Sequence, residues 1–143
     1  MPQLIVFDHI TLDGYFSAPN GDISFLRQRF KDDEFHSFAV ENINAAGALL
    51  FGRVTYEVMV SYWPTPNAVK EEPAIAERMN SLPKFVLSRT PNKSSWNNTR
   101  FLNGDIASEV RKIKQLPGRR IAILGSGSIV AQLAPLGLID EYL

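Results

Sequence analysis

The chain has 143 residues, 45% hydrophobic and 21% charged, a globular composition that excludes disorder and suffices for one buried core. Its 15 basic and 15 acidic side chains cancel, so no broad positive surface addresses nucleic acid or an acidic membrane, although a local anion pocket stays open. Cysteine is absent. Disulfides, thiolate metal sites and cysteine nucleophiles are thereby excluded, and His9 and His36 have no partner spaced for a metal.

The segment Met1 to Asp8 has neither the basic start nor the long apolar core of a secretory signal. No stretch approaches the roughly 20 apolar residues of a membrane span, so a cytoplasmic location is expected. Leu4 to Thr11 reads as a strand ended by the turn pair Asp13-Gly14, with a second turn at Pro19-Asn20-Gly21-Asp22. Phe35, Phe38, Ala39, Asn42 and Ile43 recur every three or four residues, which predicts a helix from about Asp33 to Ile43. Ala48 to Phe51 is a short continuous apolar run, the pattern of a strand covered on both faces.

A short helical stretch follows from Thr55 to Val60, broken by Pro64 and Pro66. Pro73 suits the first turn of a helix that presents Ile75, Met79 and Leu82. Lys84 to Ser88 is another buried strand. Asp105 can cap a helix with an inner face of Ile106, Val110, Ile113 and Leu116, ended by Pro117-Gly118. Arg120 to Leu124 is a strand running into Gly125-Ser126-Gly127-Ser128, and Ile129 to Leu133 begins a last short helix. Apolar strands alternating with helices predict a single α/β domain over residues 1–143, with a mostly parallel sheet covered on both faces.

Open sheets of this kind bind ligands beyond the carboxyl ends of their strands, which directs attention to three strand-to-helix junctions. At Gly52-Arg53-Val54-Thr55, glycine permits close approach, and helix-start amides with a Thr hydroxyl can hold a phosphate oxygen. A tight turn with a surface arginine explains the same residues. At Ser88-Arg89-Thr90, a hydroxyl and a guanidinium could grip a 2′-phosphate; a solvated loop arginine is the commoner occupant. At Gly125 to Ser128, two glycines between strand and helix let amides face a pyrophosphate. Val130 stands where a dinucleotide fingerprint would place its third glycine, and the segment lies late in the chain, which argues against a Rossmann arrangement but not against nucleotide binding.

Asp13 could contact a polar substrate or relay a proton, although a turn-forming Asp-Gly is simpler. Tyr62-Trp63-Pro64 could wall a planar ring or pack in a core or dimer interface. No nucleophile elbow, zinc-hydrolase helix or P-loop is present.

Taken in order, Ile10-Thr11-Leu12-Asp13-Gly14-Tyr15, Leu50 to Tyr56, Lys84 to Thr90, Ile123 to Ser128 and Leu138 to Tyr142 resemble the dihydrofolate-reductase-like superfamily, in the branch of the riboflavin-biosynthesis deaminase-reductase C-terminal domain. The resemblance spans essentially the whole chain. It implies NADPH-dependent hydride transfer, with Gly52, Arg53 and Thr55 holding phosphate, Ser88 and Arg89 flanking the 2′-phosphate, and Gly125, Ser126, Gly127 and Ser128 around the pyrophosphate. Asp13 becomes a candidate catalytic residue beside the nicotinamide. Tyr15, Phe16, His36 and Trp63 become substrate-contact candidates, and a homodimer is implied.

Folate-reducing members carry a carboxylate on the first helix, whereas spacing back from Gly52 puts His36 near that position. The expected substrate is therefore a small polar carbonyl, imine or pyrimidine-type compound. A pterin reductase and a non-catalytic NADPH-binding module are the alternatives. Members usually continue past a motif such as Asp140-Glu141-Tyr142-Leu143 into further strands, so the sheet is expected to lack its usual C-terminal strands.

Overall fold

The computed structural model describes residues 2–9, 12–13, 32–90 and 96–143. Tyr15, Phe16 and the turn expected at Pro19 to Asp22 lie outside the described residues. Six strands form one sheet: β1 (Leu4–Phe7), β2 (Ala46–Gly52), β3 (Lys84–Leu87), β4 (Thr99–Leu102), β5 (Arg120–Leu124) and β6 (Glu141–Tyr142). Their order is β4-β3-β2-β5-β1-β6, and every pairing is parallel. All carboxyl ends therefore lie along one edge.

Helices cover both faces because the strands are apolar on both. α1 (Asp33–Ala45), α2 (Arg53–Tyr62) and α4 (Pro73–Ser81) bury Ala39, Ile43, Tyr56, Ile75 and Met79 against Leu49, Phe51 and Val86. α5 (Ile106–Ile113) and α6 (Gly127–Leu133) bury Val110, Ile113, Ile129 and Leu133 against Val6, Leu50, Leu87 and Ile123 on the other face. Each such fully buried aliphatic side chain stabilises the fold by about 1.5–3 kcal/mol. Between α2 and α4, Pro66 opens a further short helix, α3 (Pro66–Glu71), capped by Thr65, whose hydroxyl accepts from the Ala68 N–H. The proline that interrupts one helical pattern thus starts another.

Gly47 is the extra residue of a bulge against β5. A Cβ there would lie 2.9 Å from the Arg119 Cβ, so the two chains approach too closely for a larger residue. Lys84, at the amino end of β3, is only 1% exposed. Its Nζ donates to the carbonyls of Asn80 (3.1 Å), Leu82 (2.8 Å) and Asn97 (2.8 Å) and sits 4.5 Å from the centre of the Trp96 ring. It thereby ties the Asn80 and Leu82 carbonyls, left unpaired at the carboxyl end of α4, to the Asn97 carbonyl ahead of β4. Burial lowers its pKa to about 8. No helix among the described residues is long and apolar enough to cross a membrane.

Candidate functional site

The helices that follow β2 and β5 leave these neighbouring strands in opposite directions. α2 packs on the face with Phe51, and α6 on the face with Ile123. The carboxyl ends of β2 and β5 therefore border a topological switch point, where open α/β sheets receive ligands.

Three of the predicted segments meet here through side chain-to-backbone bonds. The Gly52 N–H donates to Ser126 Oγ at 2.9 Å, and the Ser126 N–H donates to Thr55 Oγ1 at 3.1 Å. Ser126 is 7% exposed and left-handed, with φ of 58°; its carbonyl accepts the Ile129 and Val130 amides that start α6. Gly52 sits close to α6: an added Cβ would lie 3.2 Å from Ile129 Cγ1, so a larger residue would push that side chain aside. Gly125 must be glycine for conformation as well as space: its φ is +61°, and a Cβ would meet Thr55 Cγ2 at 3.2 Å.

Sequence reasoning missed Asp8 at this site. It follows β1, and its Oδ1 accepts the Gly125 N–H at 2.7 Å. Burial raises its pKa, and the Gly125 hydrogen bond partly offsets that rise. A polar residue ending an apolar strand at the carboxyl edge was the available signal. His9, next in the chain, packs its ring 4.9 Å from Phe7 and 4.7 Å from Phe35 of α1.

The other predicted residues lie around this centre at different distances. Arg53 is at the first position of α2 and pairs at 3.1 Å with Glu57, both half-exposed, a surface pair that holds it weakly. Ser88 directly follows β3, and its hydroxyl engages the backbone of Thr90 on both N–H and carbonyl at 3.2 Å. Arg89 is exposed and adds to the field on Asp105. That carboxyl is held below its ordinary range first by hydrogen bonds from Ser108, then by Arg111 and Arg89. Asp105, read from sequence as a helix cap, caps α5 through the Ser108 N–H at 3.0 Å.

His36 lies in the first turn of α1 and its Nε2 is 2.5 Å from Glu72 Oε2, a carboxylate that sequence spacing did not connect to it. Trp63 donates to the Met59 sulfur at 3.3 Å, and its carbonyl accepts from Asn80 near the far end of α4. The structure does not bring Trp63 to the glycine junctions. Asp13 is exposed in a turn. No group of three or more acidic or histidine side chains among the described residues could hold a metal. Two surface concavities, of about 480 and 180 Å³, lie at the amino-terminal edge beside Asn80 and Asn98 and beside Pro2 and Gly47. They lie at the edge opposite the hydroxyl, glycine and arginine groups described above.

The all-parallel sheet, with helices on both faces and a switch point built from two glycine-bearing junctions, places the protein among the doubly wound α/β folds. The RibD C-terminal domain family model matches residues 2–143, and the chain belongs to that family. "Uncharacterized protein YyaP" of Bacillus subtilis (strain 168) is 31% identical over 133 residues, covering 93% of this chain and 68% of that protein. The crystal structure of a "putative riboflavin biosynthesis protein" from Shewanella sp. PV-4 superposes with a TM-score of 0.67. Its sequence identity is 21%, over 98% of this chain and 73% of that one. That likeness supports the dihydrofolate-reductase-like fold expected from sequence.

Proposed function

We propose that the protein is an NADPH-dependent reductase acting on a small polar carbonyl, imine or pyrimidine-type substrate. The observation that carries this reading is the hydrogen-bonded junction of Gly52, Thr55 and Ser126 at the switch point, within a fold of the RibD C-terminal domain family. NADPH, when bound, supplies the hydride. Its donor requirements fit the residues present: Thr55 and Ser128 offer hydroxyls, and Arg53 and Arg89 offer guanidinium groups held only at the surface, while the buried Ser126 hydroxyl, given to the Leu124 carbonyl, shapes the junction. Ser88 and Arg89 are assigned to the 2′-phosphate and the segment from Gly125 to Ser128 to the dinucleotide. Asp13, Tyr15, Phe16 and His36 are assigned to the substrate side.

The first turn of α1 supports the substrate assignment, because the His36–Glu72 pair provides both a donor and an acceptor near the carboxyl edge. A homodimer belongs to the same reading, supported by Val54 and Val58, one turn apart on α2 and 64% and 44% exposed. Light scattering checks it. The enzymatic reading is tested by following NADPH oxidation over aldehyde, imine, pyrimidine and pterin panels. Turnover of one of the first three classes is expected. NADPH binding without oxidation of any compound would instead identify a binding module, and turnover confined to pterins would identify a pterin reductase.

A further inference from the structure

The glycine junction is less available to anions than its sequence suggests. The Gly125 N–H is already given to Asp8 at 2.7 Å, and the Ser126 N–H to Thr55 at 3.1 Å. At the Gly125 end both amides are therefore spoken for, and a carboxyl stands beside them. A carboxylate beside a phosphate costs energy, and more so where solvent is partly excluded.

Asp8 is also well oriented. Its own N–H donates to the Leu143 carbonyl at 3.1 Å, and Gly125 fixes one carboxyl oxygen. The second oxygen accepts no hydrogen bond from the described residues. Desolvation of this carboxyl raises its pKa, a cost that a structural hydrogen bond to one oxygen leaves uncompensated on the other.

We propose that Asp8 determines specificity at this end of the crevice, accepting an N–H from an uncharged carboxamide or ring amino group and keeping phosphate away. The proposal rests on the dinucleotide reading where the donor is the nicotinamide carboxamide. A ring amino group of the substrate offers the same chemistry. Either way, a ligand lies with an uncharged, donor-bearing ring toward Asp8 and its phosphates elsewhere.

Asp8→Asn separates orientation from recognition. The Asn oxygen can keep the Gly125 bond, while the group facing the ligand changes from acceptor to donor. Wild type and D8N are titrated with NADP⁺ and with its 3-acetylpyridine analogue, which lacks the carboxamide N–H. Both proteins are then titrated with 2,4-diaminopyrimidine in the presence of NADP⁺. Wild type is expected to prefer NADP⁺ over the analogue by roughly tenfold or more, and D8N to lose that preference. If the two dinucleotides bind wild type alike but D8N loses diaminopyrimidine binding by a similar factor, the substrate is the source of the donor. Equal behaviour of wild type and D8N in both arms overturns the role of Asp8 and leaves the reductase reading standing. Failure of folded wild type to bind NADP⁺ defeats that reading instead, and the diaminopyrimidine arm alone then decides Asp8.

Discussion

Ser126 joins two strands by accepting the Gly52 N–H and donating its own N–H to Thr55. Ser126→Ala keeps the backbone shape but strips a buried amide of its acceptor, so unfolding free energy should fall by about 1–3 kcal/mol in urea titrations. Gly125→Ala should cost about 1–2 kcal/mol for the left-handed backbone alone, with an added penalty for its contact with Thr55. Lys84 makes a pH-dependent contribution of definite sign. Its folded pKa of about 8 lies below the ordinary value near 10.4, so between these pH values the unfolded chain binds the extra proton. The Lys84 contribution therefore becomes more favourable as pH rises through that window, by up to about 1.4 kcal/mol per pH unit. The stability difference between wild type and Lys84→Met, measured at pH 7 and pH 10, should shift in favour of wild type at the higher pH. A constant difference would show that Lys84 titrates normally.

Among the elements, those with a long apolar period or a continuous apolar run were legible. α1 extends to Ala45 rather than Ile43, and β2 gains a residue or more at each end, because hydrogen-bond ladders run past the last apolar side chain. Leu4 to Thr11 was too long a strand: pairing with β5 ends at Phe7, where Asp8 turns its side chain to Gly125. Three elements left no clear pattern. α3 is six residues behind a proline, β4 is an edge strand with a mixed Thr-Arg-Phe-Leu sequence, and β6 has two residues. The two strands depend on pairing with β3 and β1, and α3 is too short to show a helical period. At the start of α5, Asp105 caps its helix and also lies within the field of Arg89. Asp105→Asn retains a capping oxygen but removes a negative charge from the field around Arg89. It should raise the preference for NADPH over NADH by roughly two- to fivefold in paired titrations, charge screening at the surface limiting the gain.

For the molecule as a whole, what decides function is which strand ends become neighbours. Sequence marked Gly52, Thr55 and Ser126 separately, and each could be explained as an ordinary turn or helix start. The insertion of β5 between β2 and β1 turns them into one hydrogen-bonded junction and brings Asp8 to it across 117 positions of chain. Such long-range pairing leaves no local periodicity to read, which is why Asp8 and Glu72 were missed while the glycines were found. In the proposed reading this edge binds NADPH with Arg89 at its 2′-phosphate. The most direct test is a fluorescence titration of wild type and Arg89→Ala with NADPH and NADH. Wild type should prefer NADPH, and Arg89→Ala should lose that preference through a roughly ten- to hundredfold weaker NADPH affinity, the equivalent of about 1.5–3 kcal/mol for one charge-assisted contact. Equal affinity of both proteins for NADPH, or no binding by folded wild type, would contradict the account.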